Sequence, residues 1–232
     1  MELLSNLKSS KNYCDSIRSS SYTQCISSYP KTKVYQNIND LFIDRFDPTC
    51  SILEEKEKPV YRKQRIIEIA TDIDEKKETN YDKFQYSSKH MKSSVIQTGL
   101  QVPNSLSSVL YLGDLYKVTP VIHLDTVKKQ VTTSKKTRNK LHILYKDGCF
   151  MELDEPTDFK SGEYIDLGEC FVLNIKDLSV YTNYLDPIGK YKAPELIELA
   201  KKVQIPLEVN GKKKVKKQLY DDINVYYLNN PV

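Results

Sequence analysis

Apolar residues recur at helical spacing in five stretches of this chain and alternate in a block between them, which predicts an α+β fold. Leu41, Phe42 and Phe46 anchor one or two helical turns over residues 39–46. Asp47-Pro48 closes them, because the residue before a proline avoids the helical region. From Tyr61 to Lys77, Ile66, Ile69 and Ile73 repeat with helical period, with Ile67 and Ala70 on the same face; the β-branched content also suits a strand. Asn104 is placed to cap a helix over Ser105–Lys117, with Leu106, Val109, Leu110 and Tyr116 on one face and Gly113 as an interior cost. After Pro120 the period changes to two. Val121–Leu124 and Val127–Thr132 predict strands. Leu141, Ile143 and Tyr145 alternate, Asp147-Gly148 turns, and Cys149, Met151 and Leu153 alternate again. That is a β-hairpin, since Asp-Gly supplies the positive φ that a tight turn needs. Glu163–Leu167 and Glu169–Ile175 complete a small antiparallel sheet over 120–176, while Glu54–Lys58 and Glu75–Ser94 read as polar connections.

The pattern continues into the stretch with the clearest functional sign, Tyr191–Ile223. Pro194 suits a first helical turn, Glu195 and Glu198 complement the positive end of the helix, and Lys201 and Lys202 the negative end. Leu196, Leu199, Ala200 and Val203 make the apolar stripe, with Ile197 beside it. Pro206 forces an extended link, Asn210-Gly211 turns, and Val215, Leu219 and Ile223, flanked by Tyr220, form the core face of a second helix. The expected organisation is an extended Ser/Tyr-rich arm over 1–60, a mixed α/β body with antiparallel hairpins over 61–186, and a basic helix–extended–helix module over 187–232.

Charge singles out that module. Five of the six residues Lys212–Lys217 are lysine: Lys212, Lys213, Lys214, Lys216 and Lys217. Over Pro187–Asn224 nine lysines face five carboxylates, a net of +4 that equals the net charge of the whole chain. Clustered lysines are the footprint of phosphate-backbone binding. Without arginine they favour sequence-independent contact, because bidentate guanine recognition is mostly an arginine property. A lysine run also suits a solvated turn, and a two-helix tail also suits packing on its own domain. A second run, Lys128, Lys129, Lys135, Lys136, Arg138 and Lys140, reads first as a solvated loop, with an extension of the basic surface as the alternative.

Composition narrows the rest. The chain has 17 Tyr, six Phe and no Trp. Tyrosine serves interfaces and stacks on bases, although most of these read as half-buried strand residues. Nine of the first thirty residues are serine, too polar to bury what ordering costs unless another subunit holds the arm. No apolar run is long enough to span a membrane, and the N-terminus has neither a secretory pattern nor a myristoylation glycine. Five widely spaced cysteines without Cys-x-x-Cys fit a reduced intracellular setting.

The C-terminal stretch resembles the SAP family and related helix-extended-loop-helix modules. Leu196, Leu199 and Val203 match the first helix, Ile205 and Leu207 the link, Gly211 the turn, and Lys216, Leu219, Tyr220 and Ile223 the second helix. The family's Gly-x-Lys-x-x-Leu spacing is stretched, with Gly211 eight residues before Leu219. The tail NGKKKVKKQLYDDI also resembles C-terminal tails of virion proteins of nucleocytoplasmic large DNA viruses. These resemblances imply DNA contact, which the clustered charge places on Lys201, Lys202, Lys212, Lys213, Lys214, Lys216 and Lys217.

No catalytic residue, cofactor or metal is expected. His123 and His142 with Cys149 and Cys170 match no zinc spacing, and no phosphate loop is present. The expectation is a non-enzymatic structural or nucleic-acid-associated component of a large assembly, most concretely a minor capsid or core virion protein, located in the virion or in host cytoplasm or nucleus. Its partners would be other subunits, met through the N-terminal arm, and DNA backbone. The alternatives are a DNA-binding accessory factor in transcription or replication and, behind it, a metal-dependent nuclease built on Asp114, Glu152 and Asp154.

Overall fold

The computed structural model describes residues 33–75, 80–154, 156–162, 164–173 and 180–230. The arm expected over 1–60 lies outside these residues up to position 32. The remainder, 33–60, is a correction: it enters the body as strand β1 (Val34–Tyr35) and helices α1 (Ile38–Phe46) and α2 (Pro48–Ile52). Ile38, Leu41, Phe42, Ile43 and Cys50 are buried in the main core. Serine-rich composition upstream hid this boundary.

Beyond it run α3 (Lys58–Glu75), α4 (Asn80–Lys83), α5 (Ser93–Gln101) and α6 (Leu106–Leu115), then β2 (Val118–Leu124), β3 (Lys129–Thr132), β4 (Asn139–Lys146), β5 (Cys149–Leu153) and β6 (Lys160–Ser161). The six strands form one sheet in the order β1-β5-β4-β2-β3-β6. The α+β class holds, but the sheet is mixed. β2 pairs antiparallel with β3 and parallel with β4, and β3 pairs parallel with β6. After β3 the chain crosses through 133–138 to the other side of β2, and this sets the direction of β4. β2 is buried at all seven positions, as a strand paired on both edges and covered on both faces should be. The β4–β5 hairpin forms as expected, with Asp147 at φ 51° and Gly148 at φ 77°.

α6 lies against β2 and is buried from Leu106 through Asp114. Gly113 lets it approach: a Cβ there would sit 3.0 Å from Pro120 Cδ and 3.1 Å from the Val118 carbonyl. Gly99 is tighter, because its Cβ would fall 2.2 Å from Ser107 Oγ across the α5–α6 contact. Gly99→Ala is therefore expected to lower stability by about 1–3 kcal/mol through overpacking. Thermal melting checks it, and an unchanged midpoint would mean that Ser107 and Ser105 simply rotate away.

Other expectations shift for tertiary reasons. Ile67, placed with the buried face of α3, is 56% exposed, while Ile69, Ala70 and Ile73 are buried. Asn104 does not cap α6; it sits at φ 55°, and its side chain accepts from Ile38 N and donates to the Gln36 carbonyl. Ser105 is the residue before the helix. The strand expected over Glu163–Leu167 is replaced by a 3-10 turn over Tyr164–Glu169, and of the strand expected over Glu169–Ile175 the described residues contribute only an isolated bridge between Val172 and Ser105. The polar stretch 75–94 contains α4 and two core residues, Tyr86 and Met91. Buried carboxylates tie the first three helices together. Asp44 takes both arms of Arg62 at 2.7 Å, and Asp47 caps α2 while accepting from Tyr61 and Arg65. Burial would raise both carboxyls, but these hydrogen bonds outweigh it and hold them below the usual range.

The C-terminal module carries its own core. Leu185, Leu196, Ala200, Leu219, Tyr220 and Ile223 cluster apart from the main core. It meets the body along α8 (Lys216–Asn229), the last helix. There Leu228 packs on the main core and Asn229 accepts from Thr137 N at 2.6 Å. Among the described residues no helix is long and apolar enough to cross a membrane.

Candidate nucleic-acid interface

The module opens with α7 (Ala193–Lys202). Glu195 accepts from Lys192 N at 2.7 Å, satisfying one of the donors at that end, and Lys201 and Lys202 fall in the last turn. The helix closes without glycine. Gln204 takes φ 58°, and Ile205 N bonds back to the Ala200 carbonyl at 2.9 Å. The link then enters a short hairpin, β7 (Glu208–Val209) and β8 (Lys212–Lys213). Asn210 and Gly211 turn it with φ of 51° and 74°, the primed turn that two-residue hairpins favour. α8 follows, with Gln218 accepting from Val215 N at 3.0 Å. Val215, expected on the core face of this helix, instead precedes it and is 63% exposed. The hairpin consumes the residues that an earlier helix start would have required.

The lysine run is thereby divided among three settings. Lys212 and Lys213 stand exposed on β8, with Lys213 opposite Glu208. Lys214 folds back to Asp222 at 2.7 Å, its side chain only 9% exposed. Lys216 and Lys217 occupy the first turn of α8, which contains no carboxylate. Lys201 pairs with Glu198 at 3.3 Å, and Lys202 is exposed beside it. Lys202, Lys212, Lys213, Lys216 and Lys217 have no carboxylate partner among the described residues. Cations on the first turn of a helix oppose its dipole. Lys216 and Lys217 therefore cost helix stability in isolation, and an anion at that end reverses the sign.

The second basic run has a different fate. Lys136 and Arg138 turn inward onto buried Asp114, at 3.2 and 2.6 Å. Tyr86 and Tyr181 hydroxyls donate to the same carboxylate at 2.6 and 2.9 Å. Lys136 also lies over the Phe84 and Tyr181 rings. Burial lowers its pKa, partly countered by Asp114. This cluster locks the 133–138 crossover onto α6. Its members are far apart in sequence, so nothing local announced it.

Asp114 is thus fully engaged, and Glu152 pairs with Arg45 at 3.0 Å. The structure does not bring the nuclease candidates together. Among the described residues no group of three or more His, Cys, Asp or Glu is arranged to hold a metal. Cys170 is buried and its thiol is pushed up by that burial, away from nucleophile range.

His123 and His142 do meet, Nε2 to Nδ1 at 2.8 Å, with Phe159 edge-on to His123. His123 is fully buried and its Nδ1 has no partner. Burial, then neighbouring His142, lowers its pKa to about 4, with Asp158 opposing. Above pH 6.5 the ring is neutral folded or unfolded. As pH falls from about 6.5 to about 4 only the unfolded chain takes the proton, so stability drops by up to about 3 kcal/mol. His123→Gln should flatten that part of a stability–pH curve, and an unchanged curve would refute the assignment.

No protein-family model, curated protein or solved structure matches this chain, so its functional reading rests on the geometry of the C-terminal module.

Proposed function

We propose that this protein is a non-enzymatic, nucleic-acid-associated component of a larger assembly, and that its C-terminal module grips phosphate backbone. The observation that carries this reading is the set of lysines without carboxylate partners on the β7–β8 hairpin, the first turn of α8 and the end of α7. Lysine contacts of this kind position a backbone without reading bases. The wider setting we propose is a minor capsid or core virion protein of a large DNA virus, supported by the resemblance of the tail NGKKKVKKQLYDDI. Contact with other subunits through the N-terminal arm belongs to the same proposal, and that arm lies outside the described residues. The same lysines also fit an accessory factor in transcription or replication.

The test is binding of duplex DNA across a salt series. The intact chain is compared with a variant in which Lys202, Lys212, Lys213, Lys216 and Lys217 are alanine. A steep salt dependence that the variant loses supports the proposal. Weak binding by the intact chain, or an unchanged slope, sinks it.

A further inference from the structure

Three faces of α8 are assigned by their contacts. Leu219, Tyr220, Ile223 and Tyr227 face the module core. Asp221, Asn224, Val225 and Leu228 face the body across a small seam that Tyr181 and Lys135 also line. Gln218, Asp222 and Tyr226 remain outward, while at about 100° per residue Lys216 falls on the side of Ile223 and Tyr227. Lys214 neutralises Asp222 at 2.7 Å, and Tyr226 follows one turn later. Tyr226 sits edge-on to Tyr227, with centroids 5.3 Å apart and planes at 87°. Tyr227 in turn stacks on Tyr184, with centroids 3.7 Å apart and planes at 18°. Tyr184 comes from the link between body and module and is 55% exposed.

The stack is therefore already built, and the ring at its outer end is presented to solvent. A flat aromatic face of this kind accepts a nucleobase, and every base has a face to offer. Along a duplex, base faces are covered by their neighbours except at its two ends, so an unpaired strand supplies far more of them. From Lys216 to Tyr227, which lie on the same side of the helix, is about 16 Å along its axis at 1.5 Å per residue, a span of a few nucleotides. Asp221, the other carboxylate of α8, is on the body side, and Glu208 stands opposite Lys213 on the hairpin.

Building on the backbone-binding reading above, we infer that the module takes single-stranded nucleic acid. The lysines would hold the phosphates, and the Tyr184–Tyr227 stack would receive a base. This distinguishes the site from a duplex clamp and from an acidic-protein contact, neither of which needs the exposed ring.

The experiment uses the full chain with a single-stranded thymidine 12-mer and a duplex 12-mer at matched salt. Tyr184→Ala is expected to weaken single-strand binding by about tenfold, to leave duplex binding within about twofold, and to preserve the melting temperature. Tyr184→Phe keeps the ring and should bind as the intact chain does. Tyr226→Ala should lower single-strand binding by less than Tyr184→Ala. If Tyr184→Ala binds the thymidine strand as the intact chain does, or loses both ligands equally, the stacking inference is wrong, although the lysine grip can stand. If the intact chain binds neither ligand, both readings fall together.

Discussion

Replacing Asp114 with alanine is expected to destabilise the protein by about 3–5 kcal/mol, among the larger effects of any single substitution in the chain. The carboxylate is 2% exposed and serves four donors: Arg138, Lys136, Tyr86 and Tyr181. Removing it leaves two cations beside one another, with Lys136 only 8% exposed, and the Tyr86 hydroxyl without an acceptor, while Tyr181 keeps only Ser134 Oγ at 3.0 Å. Each charge loses its compensation while its desolvation cost remains. The melting midpoint should fall by about 10 °C, given about 2–4 °C per kcal/mol for a chain of this size. Asp114→Asn should fall between the two, because it keeps an acceptor and loses the charge. Lys136→Met in the Asp114→Ala background should recover part of the loss, since it removes the cation that the first change orphaned. A double-mutant cycle by chemical denaturation measures the coupling. Near-zero coupling would mean that water reaches the cluster and screens it.

Changing Lys202, Lys212, Lys213, Lys216 and Lys217 to alanine is expected to reduce the log–log salt slope of duplex binding by about 0.9 for each lost phosphate contact, so by about 4.5 if all five engage. At low salt this corresponds to an affinity loss of about a thousandfold or more. Lys214→Ala is the informative control. That side chain is committed to Asp222, so its removal should leave the slope unchanged, whereas Lys212→Ala should lower it by about 0.9. If Lys214→Ala moves the slope as much as Lys212→Ala does, the Asp222 pair opens on binding and Lys214 belongs to the grip. Losing the five cations should not unfold the module. Its core is the Leu196, Ala200, Leu219, Tyr220 and Ile223 cluster, and cations near the first turn of α8 oppose the helix dipole.

The helices and the hairpin were legible because their signals are local. Ile66, Ile69 and Ile73 announced α3 by period, and Asp147-Gly148 announced the β4–β5 turn by backbone chemistry. The same logic failed where a neighbour distant in sequence decided the outcome. Ile67 follows the apolar period of α3 but stays exposed. Asn104 has the chemistry of a cap, yet its amide is taken by Ile38 and Gln36 of the preceding segment. Residues 164–169 carry strand-like composition but find no strand to pair with and close as a 3-10 turn.

By itself, the sequence determined the α+β class, the β4–β5 hairpin, the two helices of the C-terminal module and the concentration of positive charge between them. Each depends on residues within a turn or two of one another, where periodicity, caps and positive φ act. Only the tertiary structure decided that β4 runs parallel to β2, that residues 33–60 join the core, and that Lys136 and Arg138 point inward while Lys212 and Lys213 point out. Asp114 meets Arg138 across 24 positions and Tyr181 across 67, and no local pattern encodes such a meeting. Whether a lysine is a ligand for phosphate or a counter-ion for a buried carboxylate depends on what the fold places beside it.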